Sequence, residues 1–171
     1  MKSFTLKTEK KDNENCKLFS LTTKNITPDG NCFFRAFSHQ LYGTEEHHFA
    51  IRHACIYHIE HKSKYYKRFI GDKIFKKYIK RKRESGVWAD NIEIHALSEI
   101  YNVLIIIYMA GQDPIKICNV EGSPSKTVRV FYKNMNHYDS VISIENKELE
   151  SDNYDNKASY TISEHNGYKL I

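Results

Sequence analysis

Apolar residues recur at helical spacing through the first two-thirds of the chain. After Cys32 they follow one another three to four positions apart until Gly43, a residue type common just beyond helix ends. The same spacing and its capping residues predict four helices: one from Cys32 to Gly43, one from an N-cap at Thr44 to about His61, one opening at Gly71–Asp72, and one that follows a cap at Asp90.

The last third of the chain carries short apolar runs instead. The run Val103–Tyr108 is rich in β-branched residues and does not alternate, which is typical of a strand buried on both faces. Turn-forming clusters separate the runs that follow it. The other predicted strands are Ile115–Val120, Thr127–Tyr132 and His137–Ile144, with Lys17–Thr22 and residues 159–163 as shorter candidates.

Helices followed by strands predict one layered α+β domain. A chain of 171 residues is long enough to bury a stable core. We expect a flexible segment over residues 1–15, a folded domain over residues 16–145, and a polar extension over residues 146–171 that can supply an edge strand.

Composition narrows the class of protein. Hydrophobic residues make up 40% of the chain, which is a globular value. No apolar run is long enough to span a membrane and the N-terminus lacks the apolar region of a signal peptide, so we expect a cytoplasmic protein without a membrane partner. In that reducing compartment the cysteines are expected to be free thiols; they are Cys16, Cys32, Cys55 and Cys118.

The net charge of +5 is unevenly distributed along the chain. Residues 64–83 contain ten Lys or Arg and one acid, Asp72, which gives this segment +9 and leaves −4 for the rest. Apolar residues recur within the segment, so we interpret most of its charge as the solvated face of a helix and expect no nucleic-acid partner. Nucleic-acid binding and, for residues 76–83, nuclear import stay open as alternatives.

The sequence Asp29-Gly30-Asn31-Cys32 places a thiol where a helix begins. Unpaired N–H groups and the helix dipole stabilise a thiolate at that end, and the thiolate is the nucleophilic form of cysteine. Asn31 can cap the helix, and Gly30 lets consecutive backbone N–H groups converge beside the sulfur. The four residues therefore predict a nucleophile built together with an oxyanion hole.

His137 is the histidine best placed to activate this thiol. It starts a predicted strand, and Asp139 lies on the same side of that strand two residues later. A carboxylate there can fix the tautomer that turns the other ring nitrogen toward Cys32, although Asp29 or an asparagine can also play this part. The histidines between residues 47 and 61 lack a second ligand pair at zinc-site spacing, so we expect no metal and no cofactor.

Three motifs occur in an order that resembles the ovarian tumour (OTU) family of cysteine proteases. They are PDGNCFFRAFSHQLYG, VWADNIEIHALSEIYNVLIIIY and NHYDSV, and together they lie between Ile26 and Val141. The resemblance implies a single domain of the papain-like cysteine protease class. In it a central, mostly antiparallel β-sheet is packed between helices.

The resemblance also implies what individual residues do. Cys32 would be the nucleophile, His137 the general base and Asp139 the group that orients it. Asp29 would shape the oxyanion hole through backbone amides, and Trp88 would pack near the site as a structural support. The reaction would be hydrolysis of isopeptide or peptide bonds at the C-terminus of ubiquitin, by a monomer acting on ubiquitin, polyubiquitin chains or ubiquitin-like modifiers.

Two features qualify this implied function. Ala89 stands where many OTU members have glycine, a change that is tolerated if the backbone there does not need a positive φ. The alternatives are an OTU fold that binds ubiquitin with little or no turnover, and a nucleic-acid partner that uses the basic helix. The richness in Lys, Asn, Ile and Tyr is compatible with a viral or bacterial origin, in which case host conjugates would be the targets.

Overall fold

The computed structural model describes residues 6–7, 20–144 and 169–170. Five helices lie in this part of the chain: α1 (Cys32–Tyr42), α2 (His48–His61), α3 (Ser63–Ile70), α4 (Phe75–Lys82) and α5 (Asn91–Tyr101). The strands are β1 (Leu6–Lys7), β2 (Ser20–Lys24), β3 (Val103–Met109), β4 (Gln112–Ile117), β5 (Lys126–Lys133), β6 (His137–Ser143) and β7 (Lys169–Leu170).

The strands form one sheet in the order β1-β2-β6-β5-β3-β4-β7. Four of its six strand pairs are antiparallel, while β3 pairs with β5 and β4 with β7 in parallel. The predicted α+β class and the mostly antiparallel sheet are therefore confirmed. Pro114 lies where the register of β3 and β4 shifts, a position at which a missing N–H costs little.

The core lies mainly between the helices and one face of the sheet. Phe33, Phe34 and Phe37 of α1 join apolar residues of α2, α5, β3 and β5 in one buried cluster. A smaller cluster, which includes Ile106 and Tyr108, lies on the opposite side of β3. The prediction that Val103–Tyr108 is buried on both faces is thus confirmed, and this sheet supports the helix that carries Cys32.

The predicted start of α2 at Thr44 is wrong. This helix begins at His48, because residues 44–47 turn back over the end of α1. The Ser38 hydroxyl donates to Thr44 O at 2.6 Å and accepts from His47 N at 3.2 Å, and these bonds hold the turn.

The basic segment is divided between two helices rather than carried by one. Helix α3 was not predicted; its buried Tyr66 and Ile70 are four residues apart, and Gly71 ends it with φ +93°. Helix α4 then starts at Phe75. No helix within the described residues is long and apolar enough to cross a membrane.

The chain termini contribute two short edge strands. Leu6–Lys7 pair with β2, although they lie in the segment expected to be flexible. Lys169–Leu170 pair with β4 and so bring the C-terminal extension to the sheet. The strand predicted over residues 159–163 and most of residues 1–15 lie outside the described residues.

Candidate active site

Cys32 is the first residue of α1, and its side chain is buried. Gly43 ends the helix in the left-handed conformation, as its type predicts, and donates to His39 O. The predicted cap at the other end is wrong, because the Asn31 side chain makes no hydrogen bond to a helix N–H. The thiol therefore lies at an uncapped helix N-terminus.

The residues before the helix, 28–31, form a loop that we call the nucleophile loop. Asp29 closes this loop: its carboxylate accepts hydrogen bonds from Asn31 N at 2.9 Å and from Arg35 Nη2 at 2.6 Å. The Arg35 guanidinium holds the pKa of the Asp29 carboxyl well below its usual range; burial opposes this effect and the Asn31 bonds add to it. Asp29 is therefore committed to the loop and to α1, and it does not orient His137.

Gly30 allows this loop to pack against a second loop, residues 83–90, which we call the wall loop. Gly30 has φ +77°, and a Cβ atom there would lie 2.2 Å from the carbonyl oxygen of Gly86. Both the conformation and the close approach exclude a side chain. The two loops are thus in direct backbone contact beside Cys32.

The expectation that consecutive N–H groups converge on the sulfur needs correction. Asp29 N donates to Thr27 O at 3.2 Å and Asn31 N donates to the Asp29 carboxylate, so both are used inside the loop. Within the described part of the chain, the N–H groups of Gly30 and Cys32 donate to no oxygen atom, and the Cys32 N–H lies at its own sulfur.

The surroundings of the thiol act on its ionisation in opposite directions. Burial raises the pKa of the Cys32 thiol, and the Asp29 charge adds to this increase. The backbone N–H groups of Tyr138, Phe33 and Cys32 itself oppose it. Burial outweighs the helix terminus, contrary to the expectation from sequence that the terminus by itself favours the thiolate.

His137 and Asp139 lie on the same side of β6, as their spacing predicts. His137 Nε2 donates to Asp139 Oδ1 at 3.0 Å, which leaves Nδ1 as the other nitrogen of the ring. The Asp139 side chain is 0% exposed and also accepts from Ile26 N at 3.0 Å. Tyr138, between them in sequence, brings β6 to α1: its backbone N–H lies at the Cys32 sulfur and its ring packs on Phe33.

Lys133 is a further charge at this pair that the sequence did not indicate. It lies directly opposite His137 in the β5–β6 register, and its ammonium group pairs with the Asp139 carboxylate. The carboxylate is thus held by a cation, a backbone amide and an imidazole. These three contacts fix its position and hence that of the His137 ring.

A cleft of about 430 Å³ opens beside Cys32. Its lining is mostly apolar and includes Ile92, Ile107, Met109 and Tyr138. Asp90 is the one charged residue in that lining. The described residues contain no group of three His, Cys, Asp or Glu side chains that could hold a metal ion.

Trp88 lies in the wall of this cleft, near Cys32, but its side chain is 55% exposed and does not act as a packed support. The support comes from Lys82, which is 4% exposed. Its ammonium group donates to Trp88 O at 2.7 Å and to Asp90 Oδ2 at 2.6 Å, and it lies 2.9 Å from Glu93.

Ala89 stands where many OTU members have glycine. Its φ is not positive, so the side chain causes no backbone strain there.

Comparison with known proteins assigns the family. The sequence matches the OTU-like cysteine protease family over residues 27–141. The chain belongs to the OTU family. The expected membership is confirmed, and the match includes the nucleophile loop, the wall loop and most of strand β6 of this OTU domain.

Individual relatives agree with this assignment. The OVARIAN TUMOR DOMAIN-containing deubiquitinating enzyme 6 of Arabidopsis thaliana is 37% identical over 120 residues, which are 70% of this chain and 24% of that protein. The chain thus spans about a quarter of the length of the curated relatives it matches.

Solved structures show the same fold. The OTUD1 OTU domain aligns with a TM-score of 0.61 and 25% identity, covering 70% of this chain and 84% of that one. An OTU deubiquitinase from Wolbachia pipientis bound to ubiquitin aligns with a TM-score of 0.56 and 18% identity, covering 73% and 97%.

The sequence analysis did not predict that two cations of this OTU domain, Arg52 and Lys82, are buried. Each had a detectable signal. Arg52 falls within the apolar stripe of α2 beside Ile51 and Cys55, and Lys82 is three residues beyond Ile79 on the buried side of α4. A cation on an apolar stripe indicates a buried polar contact rather than a solvated face.

Proposed function

We propose that this chain is a thiol-dependent deubiquitinase that hydrolyses the isopeptide or peptide bond at the C-terminus of ubiquitin. Cys32 is the nucleophile, His137 the general base and Asp139 the residue that orients the imidazole. The observation that carries the proposal is the hydrogen bond from His137 to the buried Asp139 on β6. Tyr138, between them in sequence, brings its backbone N–H to the Cys32 sulfur. Family membership and the ubiquitin complex of the Wolbachia relative support the substrate class.

The first step forms an acyl-enzyme. The Cys32 proton moves to His137, and the thiolate attacks the scissile carbonyl carbon. The C–S bond forms while the carbonyl π pair moves onto oxygen. When this intermediate collapses, the C–N bond breaks, and the imidazolium gives its proton to the departing lysine or N-terminal amine. Asp139 holds the ring so that Nε2 keeps its own hydrogen throughout.

The second step is hydrolysis of that thioester. His137 takes a proton from water as the water oxygen attacks the carbonyl carbon. Collapse of the second intermediate breaks the C–S bond, releases the ubiquitin carboxyl group and returns the proton to sulfur. Atoms and charges balance without a metal or cofactor among the reactants.

The oxyanion of both intermediates needs hydrogen-bond donors. We assign this role to the N–H groups of Cys32 and Gly30, because those of Asp29 and Asn31 are used inside the loop. The tail of ubiquitin carries arginines, and the cleft lining contains no cation that would repel them; its one carboxylate, Asp90, is paired with Lys82.

A ubiquitin probe with an electrophile at its C-terminus tests the proposal. It should form one covalent adduct per folded chain, at Cys32, and none after denaturation. Cys32→Ala and His137→Ala should abolish turnover of a ubiquitin C-terminal fluorogenic substrate. Asp139→Asn should lower kcat about 10²–10³-fold, because the ring loses its orienting anion.

The controls separate directed capture from simple thiol reactivity. Cys118 is exposed and Cys55 is buried away from the cleft, so neither should be labelled by the probe. Labelling of either one, or labelling that persists in denaturant, would contradict the proposal. Ubiquitin binding without an adduct would show instead an OTU fold that binds but does not cleave.

A further inference from the structure

We propose that Arg52 is a positioning residue: it sets the distance between the nucleophile loop and the wall loop, and thereby the geometry of the oxyanion hole at Cys32. The inference rests on the proposed function, since it concerns the same site. It assigns a role to a buried arginine on α2 that does not touch the substrate cleft.

The Asn31 side chain joins the two loops. Its Nδ2 group donates to Asp29 Oδ2 at 3.0 Å and to Ser85 Oγ at 3.2 Å. Its Oδ1 atom accepts hydrogen bonds from Gly86 N at 2.9 Å and from Arg52 Nη2 at 2.8 Å. All four hydrogen-bonding positions of the carboxamide are therefore used, and they fix it in one orientation.

Arg52 holds the other side of this junction. Its Nη2 atom donates to Val87 O at 2.7 Å as well as to Asn31, and its Nη1 atom donates to Lys82 O at 3.1 Å. The guanidinium carbon lies over the Phe34 ring, 4.2 Å from the ring centroid. One rigid cation thus contacts the residue before the nucleophile, the last residue of α4, Val87 in the wall loop and an aromatic ring of α1.

Stability alone does not account for this arginine. Its hydrogen-bond acceptors are three neutral oxygen atoms, and a buried cation without a hydrogen-bonded carboxylate recovers little of its desolvation cost. The planar guanidinium instead fixes the relative positions of its acceptors, because its N–H donors cannot rotate independently. Lysine has the same charge but cannot hold three acceptors at fixed angles.

The position of the wall loop matters because the loops pack without a gap. Gly30 approaches the Gly86 carbonyl so closely that no Cβ fits between them. A shift of the wall loop therefore moves the Gly30 peptide, one of the two N–H groups assigned to the oxyanion. Displacements below 1 Å in such donors are enough to weaken oxyanion stabilisation, and removal of a donor costs on the order of 10²–10³ in kcat.

Arg52→Lys tests this role with two reagents that treat the thiol differently. Ubiquitin aldehyde adds to Cys32 and places its oxygen in the oxyanion hole, whereas iodoacetamide is attacked at carbon, loses iodide and forms no oxyanion. The variant should bind ubiquitin aldehyde about 10–100-fold more weakly and lose a similar factor in kcat. Its KM and its iodoacetamide rate at Cys32 should stay within about threefold of wild type.

Arg81→Lys is the matched control, because Arg81 is an exposed arginine on α4 outside the site. It should leave all four quantities unchanged. A thermal melt establishes that each variant is folded. If Arg52→Lys does not fold, Ser85→Ala decides the question: it removes an exposed hydroxyl that accepts from Asn31 and should give the same selective loss, about fivefold.

The inference is overturned if the folded variants bind ubiquitin aldehyde within twofold of wild type. It is also overturned if aldehyde affinity and alkylation rate fall together, since a general loosening of the site affects both. Failure of the proposed function would look different. In that case the wild-type chain itself would not react with ubiquitin aldehyde, whatever residue stands at position 52.

Discussion

At the residue scale, burial and hydrogen bonding act in opposite directions on the ionisation of Cys32. Burial raises the pKa of this thiol, and the backbone amides of Tyr138 on β6 and of Phe33 and Cys32 on α1 compensate only in part. In the proposed mechanism, a thiolate forms at neutral pH when the His137 imidazole accepts the proton. This contrasts with thiols that a helix terminus activates by itself.

The pH dependence of alkylation distinguishes these two origins. In His137→Ala we expect iodoacetamide to alkylate Cys32 slowly at neutral pH, because burial raises the pKa of the thiol and the proposed proton acceptor is absent. The wild-type protein should react readily near pH 7. Peptide mapping of the adduct at each pH measures Cys32 alone. Equal profiles would mean that backbone amides suffice.

Asp29 illustrates the opposite shift. Hydrogen bonds from Arg35 hold the pKa of its carboxyl below the ordinary value of 3.8, against the effect of burial. A pKa that is lower in the folded state means that the ionised group stabilises the fold. That contribution is complete above the unfolded pKa and is lost as pH falls from there through the folded pKa.

We expect Arg35→Gln to lower the free energy of unfolding by about 1 kcal/mol at pH 5–7, since the pair is partly solvated. The difference from wild type should shrink as pH falls below about 4, when Asp29 takes up a proton more readily in the variant. Urea titrations from pH 3 to pH 7 measure this. Asp29→Asn serves as the control and should remove the pH dependence. A difference that is the same at every pH would contradict the assignment.

At the scale of elements, α4 presents two kinds of cation. Lys80 and Arg81 are exposed, whereas Lys82 is buried against Glu93 and holds Trp88 O. The charge run in the sequence therefore has two functions. Its exposed members form the solvated face that the pattern predicted, and Lys82 anchors the wall of the cleft.

Neighbouring substitutions should separate these functions. Lys80→Gln with Arg81→Gln should change neither the free energy of unfolding nor cleavage of the fluorogenic substrate beyond about twofold, as for most surface positions. Lys82→Met should cost about 3–5 kcal/mol, because it leaves the Glu93 carboxylate buried and unpaired. Denaturant titration and steady-state kinetics give both readouts. Similar effects from both changes would contradict the burial of Lys82.

At the scale of the whole molecule, the site depends on how α1 lies on the sheet. Gln40 near the end of α1 donates to Ser140 Oγ and to Val141 O, each at 2.8 Å, and accepts from Arg129 N at 2.8 Å. One side chain thus ties the helix that carries Cys32 to both β5 and β6. It fixes the helix relative to the strand that carries His137.

Gln40→Leu should lower the free energy of unfolding by about 1–3 kcal/mol, because backbone groups in the sheet lose their partner. We also expect kcat to fall while KM changes little, since the substitution alters the docking of α1 and not the cleft surface. Gln112→Leu is the matched control at an exposed position of β4 and should be neutral in both measurements. A stable variant with wild-type kcat would show that Gln40 does not set this geometry.

Local pattern determined much of this protein. The 3.6-residue and two-residue periods predicted α1, α5 and the strands β3, β5 and β6 nearly to their ends, because the spacing of apolar residues marks the buried positions of these elements. Strand β4 is an exception: it spans Gln112–Ile117, three residues earlier than the predicted Ile115–Val120. The same local rules placed His137 and Asp139 on one side of β6. The order of the three motifs also predicted membership of the OTU family, without any information on the fold.

Only the tertiary structure decided what surrounds the candidate nucleophile. Burial of Cys32, the use of Asn31 as a link between loops instead of a helix cap, and the pairing of Lys133 with Asp139 all involve residues far apart in sequence. The same holds for the partners of Arg52 and Lys82: the helical period places both cations on apolar stripes, but it does not say which groups they bond. Desolvation and hydrogen-bond partners depend on what packs nearby in space, and no period along the chain contains that information.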